Sequence, residues 1–225
     1  MTDRPTSRTI VDAYERWALP YAALSANAPL LDRYRRRAVD AMALTPGDVA
    51  VDVGCGPGDN LPHLERAVGP DGTVLGLDAS RRMLRLADRR NLRSVQLIRG
   101  DAARAPLSGP FDGVLATFVV TLFEDPGAVI DGWWSRLGPG GRLVLLNLAP
   151  ARGRLGVPLN LGLLAGLALS TPTREALDRS LLAELDERVT AAHRTLADRA
   201  DRVHHHEAFN GSVRIAVGVR ADEDA

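Results

Sequence analysis

Val49-Ala-Val-Asp-Val-Gly-Cys-Gly-Pro-Gly-Asp59 decides the fold: an apolar run carrying one acid, Asp52, leads straight into a glycine-rich turn. Gly54 and Gly56 can take positive φ and leave no Cβ in the path of a ligand, and a helix opening after the turn aims its unpaired N–H groups at the same space. A second apolar run, Thr73-Val-Leu-Gly-Leu77, closes on Asp78. A carboxylate about 20 residues past the glycine turn accepts hydrogen bonds from both hydroxyls of a ribose. Strand, glycine turn, helix, strand and acid describe a site for a nucleotide-type cofactor.

The dinucleotide fingerprint G-x-G-x-x-G fails here, because counting from Gly54 the third glycine position is Asp59. A carboxylate beside a diphosphate repels it. S-adenosylmethionine carries no phosphate, but it has a sulfonium, an ammonium, a carboxylate, a ribose and an adenine, so Asp52 and Asp59 near the loop are tolerable or useful.

Outward from this stretch, strand-like runs follow at 49–53, 73–77, 95–99, 112–117 and 142–148, with helical patterns at 60–68, 81–90 and 126–137. This alternation implies a parallel sheet with helices on both faces and ligands beyond the C-terminal strand ends. Two helices, 8–19 and 29–44, precede the core and are expected to fold over the site. The tail reads as a long or broken helix over 173–200 and two strands, 202–208 and 212–219, joined by the hairpin signal Asn210-Gly211.

These motifs resemble the class I S-adenosylmethionine-dependent methyltransferases, in particular the small single-domain ones related to ubiquinone/menaquinone and phospholipid methyltransferases. Val51-Asp-Val-Gly-Cys-Gly-Pro-Gly58 resembles that family's first motif and Asp78 its ribose-binding acid. Gly100-Asp-Ala102 matches the loop whose Asp bonds the adenine amino group, Phe111-Asp-Gly-Val-Leu-Ala-Thr-Phe118 the fourth strand, and Leu137-Gly-Pro-Gly-Gly-Arg-Leu-Val144 the turn into the fifth. Tyr14-Glu-Arg-Trp17 and Tyr21 are similar to its aromatic N-terminal segment, although Ala22 stands where relatives often have Asp.

The resemblance implies an α/β, Rossmann-like, doubly wound sheet of about seven strands, mostly parallel with one antiparallel, helices on both faces and an N-terminal helical cap. It implies one domain over 1–225: cap 1–45, cofactor-binding core 46–150, an apolar substrate-covering insertion 151–172, and a C-terminal helix and β-hairpin 173–225. The cofactor contacts it implies are Tyr21, Asp52, Gly54, Cys55, Gly56, Asn60, Asp78, Ala79, Met83, Asp101, Ala102, Thr117 and Phe118. For Tyr21 and Met83, plain packing is an equal alternative. No catalytic base is singled out, and methyl transfer from a sulfonium mainly requires positioning and exclusion of water.

Composition bounds the rest. A chain of 225 residues, 45% hydrophobic, fits one domain with a sizeable core. The 28 basic residues balance 28 acidic ones, which gives no pull toward nucleic acid or an anionic membrane. No motif of base-modifying enzymes follows the fourth strand. The single cysteine, Cys55, precludes an internal disulfide and reads as a small loop residue. The polar N-terminus lacks a secretory pattern, so a cytoplasmic protein is expected. Arg33-Tyr-Arg-Arg-Arg37 reads as a solvated helix face, with a phosphate-binding alternative, and His63 as a surface or packing residue. In His204-His-His206 only the first and third share a strand face, and no metal site is expected.

The run from Leu155 to Leu169 is apolar nearly all round, too short to span a bilayer, and weakened as a regular helix by its proline and glycines. It reads either as a buried or dimer-forming helix or as a lid over an apolar quinone, prenyl or acyl acceptor, loaded from a membrane surface. The expected function is methyl transfer from S-adenosylmethionine to a small apolar acceptor of quinone, lipid or phenolic type. An NAD-dependent oxidoreductase and a non-catalytic cofactor-binding protein are the alternatives.

Overall fold

The computed structural model describes residues 15, 18–25, 28–104, 107–153, 156–170 and 179–222, without the side chains of 166–170 and 179. Tyr14, Trp17, Leu155, most of the expected helix 8–19 and the start of the expected helix 173–200 lie outside these residues.

Seven strands form one sheet: β1 Val49–Val53, β2 Thr73–Asp78, β3 Val95–Arg99, β4 Phe111–Thr117, β5 Leu137–Leu148, β6 Arg202–Ala208 and β7 Val213–Val219. Their order is β3-β2-β1-β4-β5-β7-β6. The first five neighbours pair parallel, and β7 runs antiparallel to both β5 and β6. The helices are α1 Pro29–Ala41, α2 Leu61–Val68, α3 Arg81–Asp88, α4 Pro126–Trp134, α5 Gly156–Ser170 and α6 Arg179–Arg199. Residues 18–25 are also helical and stand before α1.

Strand side chains alternate between two faces, and each face meets its own helices. Val51, Val53, Ala116, Leu143 and Leu145 pack with Ile130 and Trp133 of α4 and Val189 and Leu196 of α6. Ala50, Leu115, Val144, Leu146 and Val217 pack with Tyr34 and Val39 of α1, Met42 at its end, Leu64 of α2 and Ala87 of α3. The central strands are therefore covered on both faces, and their C-terminal ends are where β1, β2 and β4 run into loops.

Three expectations shift. The stretch expected as a turn before the fifth strand already belongs to β5: Leu137 pairs with Phe111, and the next pair, Gly113 with Arg142, spans two residues on β4 against five on β5. Gly138-Pro-Gly-Gly141 takes up that excess as an irregularity within the strand, with Gly140 at φ 70. Helix α4 accordingly ends at Trp134, short of 137. Most notably, the apolar run is a regular 15-residue helix, α5. Its Pro158 lies in the first turn, where the missing N–H has no intrahelical partner to lose. Nor is α5 buried in this chain, since Val157 and Leu161 are 69% and 63% exposed.

The hairpin turn carries three consecutive positive φ values, Phe209, Asn210 and Gly211. Edge strand β6 sets Arg202, His204, His205 and Glu207 in solvent, charged and polar side chains that discourage pairing with another strand. His205 stacks on His193 of α6, whereas His206 stacks on Tyr34 of α1, so the triplet does divide between the two faces. Among the described residues no cluster of metal-binding side chains occurs, and no helix is long and apolar enough to cross a membrane.

Candidate functional site

The turn after β1 is shaped from both ends. Gly54, Gly56 and Gly58 have φ of 69, 54 and 80, a region costly for residues with a Cβ. Backbone N–H groups of Gly54 and Cys55 both donate to Leu77 O at the end of β2, at 2.8 and 3.0 Å. One residue on, the Asp78 carboxylate accepts from Gly56 N–H at 2.9 Å and from Ser80 N–H at 2.8 Å. Ser80 in turn caps α3, accepting from Met83 N–H. Burial raises the Asp78 carboxyl above its ordinary value against these two hydrogen bonds, with Glu15 raising it further.

These elements open on a cavity of about 620 Å³. Of the sequence-predicted residues, Tyr21, Gly54, Gly56, Asp78, Ala79, Met83, Asp101, Ala102, Thr117 and Phe118 line it. Asp52, Cys55 and Asn60 do not; they are buried behind the loop. Cys55 packs in the core beneath the turn, and burial pushes its thiol well up. Asp52 is fully buried on β1, and desolvation raises it to about 7 although Asn60 Nδ2 donates to both its oxygens, at 3.0 and 3.1 Å. The same amide donates to Thr117 Oγ1 at 2.9 Å, so a buried polar chain runs from Asp52 to the cavity wall.

The cavity also takes in Ser80, Ala103, Arg104, Val119, Leu122, Phe123, Glu124, Asp125, Ala128 and Val129, which sequence reasoning missed. Val120–Leu122 is one short 3-10 turn, too brief to show a periodicity. A usable signal was Glu124-Asp-Pro126: Asp125 caps α4 by accepting from Ala128 N–H, and Pro126 opens the helix. Phe118 is a non-glycine residue at φ 59, held there by its N–H bond to Leu146 O at 2.8 Å. Strain of this kind collects at functional sites.

Asp59 corrects the expectation about charge at the loop. It does not line the cavity; its carboxylate turns toward the cap, accepting from Ser25 Oγ and Arg90 Nη2, with Arg35 Nη2 at 3.4 Å. Two guanidinium groups offset it, so repulsion of a diphosphate is not the decisive argument against a dinucleotide. Arg35 corrects a second expectation. It is only 4% exposed, bonded to Ser25 Oγ at 2.7 Å and lying 5.7 Å from the Phe118 ring centroid, rather than part of a solvated face. Arg33, Arg36 and Arg37 are exposed as expected. His63 bonds Asp32 of α1 at 2.9 Å, which ties α2 to the cap and lowers the Asp32 carboxyl.

The geometry fits an adenosyl cofactor without phosphate. A Cβ at Gly56 would meet no atom within 4 Å, and Gly56 is one of the residues that line the cavity. Asp78 retains lone pairs for a diol beside it. The sheet order also differs from the six-stranded dinucleotide order, since antiparallel β7 is inserted between β5 and β6.

Residues 50–141 match the family model described as "Methyltransferase domain". The chain is 35% identical over 117 residues to the demethylmenaquinone methyltransferase of Staphylococcus carnosus, an alignment covering 51% of this chain and 48% of that protein. It is 38% identical over 120 residues to the nocamycin O-methyltransferase of Saccharothrix syringae, covering 51% of this chain and 43% of that one. The alignments thus span about half the length of these curated relatives. A S-adenosylmethionine-dependent methyltransferase of Aquifex aeolicus shares the fold, with a TM-score of 0.59 at 18% identity over 82% of this chain and 88% of that one.

Proposed function

We propose, on the premise that residues 50–141 form a methyltransferase domain within a fold of that class, that this protein transfers a methyl group from S-adenosylmethionine to a small, apolar, oxygen-bearing acceptor of quinol or phenol type. The observation that carries this reading is that the unobstructed Gly56 and the Asp78 carboxylate bonded to its N–H line one cavity.

S-adenosylmethionine supplies a methyl group on a sulfonium that is already an excellent leaving group. This chain's residues then have to bind, orient and exclude water. Asp78 is suited to the ribose hydroxyls, and Asp101 with Ala102 to the adenine edge. Ala79, Met83, Leu122 and Phe123 offer apolar walls, and Tyr21 brings the cap to the cavity. Burial raises the Tyr21 phenol, so it remains protonated at neutral pH and acts as a donor rather than a base. Asp52, Cys55 and Asn60 act from behind by fixing the loop.

The acceptor class is supported by the apolar side chains of the cavity and by the names of the two relatives, one acting on demethylmenaquinone and one an O-methyltransferase. The insertion α5, apolar but for Asn160 and Ser170 and exposed at Val157 and Leu161, is proposed to cover such an acceptor.

Calorimetric titration with S-adenosylmethionine, S-adenosylhomocysteine and NADH, repeated on Asp78→Ala, tests the cofactor. Binding of the sulfur ligands alone, weakened at least about tenfold in the variant by loss of a charge-assisted hydrogen-bond pair, is expected. NADH binding would replace this reading with an oxidoreductase. Formation of S-adenosylhomocysteine with a quinol or phenol separates an enzyme from a non-catalytic binder.

A further inference from the structure

Thr117 ends β4 and lines the cavity beside Phe118. Its Oγ1 is held from behind by Asn60 Nδ2 at 2.9 Å. Asn60 is only 2% exposed, and its amide nitrogen lies 3.0 and 3.1 Å from the two Asp52 oxygens, where a carboxyl has an accepting lone pair in either protonation state. The amide carries two protons, and the buried acid and Thr117 take one each. The Thr117 oxygen is therefore an acceptor toward the protein interior, which leaves its single proton to be donated elsewhere. Among the described residues the hydroxyl has no acceptor for that proton.

From this chain of hydrogen bonds we infer that the Thr117 hydroxyl is a fixed donor presented to the cavity and that it binds an oxygen of the methyl acceptor. The inference rests on the methyltransferase reading above. The nearby wall is largely apolar, formed by Phe118, Val119, Leu122 and Phe123. A lone donor in such a wall selects for a ligand oxygen, because a hydrocarbon there leaves the donor unpaired. The cofactor's carboxylate carries the same oxygen chemistry, but the apolar side chains beside Thr117 suit a neutral acceptor oxygen better than a charged group, which they would desolvate. Asn60 is a positioning residue: it fixes which way the Thr117 proton faces.

The test uses the full chain saturated with S-adenosylhomocysteine and two probes of equal shape, 1-naphthol and 1-methylnaphthalene. Wild type and Thr117→Ser should bind 1-naphthol about three- to tenfold more tightly than Thr117→Val does, the range of one neutral hydrogen bond. The affinities for 1-methylnaphthalene and S-adenosylhomocysteine should stay level across all three, which also reports that Thr117→Val is folded. Asn60→Ala should lower the ratio of 1-naphthol to 1-methylnaphthalene affinity, a ratio that a general loosening of the loop leaves unchanged.

Equal affinities of the two probes for wild type, or no binding of 1-naphthol, would overturn the inference. So would a Thr117→Val protein that keeps the naphthol preference but loses S-adenosylhomocysteine affinity, because the donor would then serve the cofactor's carboxylate. If wild type binds no S-adenosylhomocysteine at all, the methyltransferase reading itself fails and takes this assignment with it.

Discussion

At Asp59 the glycine pattern breaks because the cap needs a charge there more than the loop needs a third glycine. Ser25, Arg35 and Arg90 converge on this one carboxylate from the helical residues 18–25, from α1 and from the turn after α3. Arg35 also lies against Phe118, so one guanidinium links cap, glycine turn and cavity wall. Asp59 keeps Arg90 when Arg35 is removed, so the loss is that of Arg35's own charged contacts rather than of a stranded charge. Arg35→Met should therefore lower stability by about 2 kcal/mol in urea unfolding and weaken S-adenosylhomocysteine binding as well. Arg36→Met, which removes only an exposed pair with Asp32, should change stability by less than about 1 kcal/mol. Equal effects of the two substitutions would refute this linking role of Arg35. The glycines and Asp78 were legible in the sequence because their roles are local. Arg35 was misread because its partner lies 24 positions away and a run of arginines imitates a solvated face. Its place in the stripe with Ala38, Val39 and Met42 was the available signal.

Element boundaries followed from the sequence wherever an apolar run met a turn residue. Strands β1, β3 and β6 have the expected limits, and the seven strands follow one another along the chain as the motifs do. Helix α5 departed from expectation because a helix without a polar face has no periodicity to read, and proline in a first turn breaks nothing. Among the described residues it contributes no lining to the cavity, so a covering role requires it to act at the mouth. The half-buried Leu163 offers the probe. Leu163→Glu should raise KM for apolar acceptors about tenfold, the scale of losing one leucine's apolar burial, and leave S-adenosylhomocysteine affinity unchanged. Equal losses of both would make α5 a structural element only.

Across the whole molecule, two buried groups, Asp52 on β1 and His193 on α6, oppose each other as pH changes. Asp52 is raised from 3.8 to about 7, first by burial, so between those values the folded chain holds a proton that the unfolded chain has released. His193, bonded to Asn147 Nδ2 at 3.2 Å, is lowered from 6.5 to about 3 by burial and by neighbouring His205 and Arg214. Over about pH 4 to 6.5 the unfolded chain therefore holds a proton that folded His193 lacks. Stability rises with pH where the unfolded state binds more protons and falls where the folded state does, at roughly 1.4 kcal/mol per pH unit for one proton. The two contributions cancel over most of this window, and each should emerge when the other is removed. Relative to wild type, His193→Gln should lose stability as pH rises from about 4.5 to about 6.5, whereas Asp52→Asn should gain it. Asp78, raised like Asp52, and Asp32, lowered, are common to all three proteins, so the differences between their profiles are the quantity to read. Chemical unfolding of the three across this window measures it, and parallel profiles would mean that neither group titrates as its burial demands.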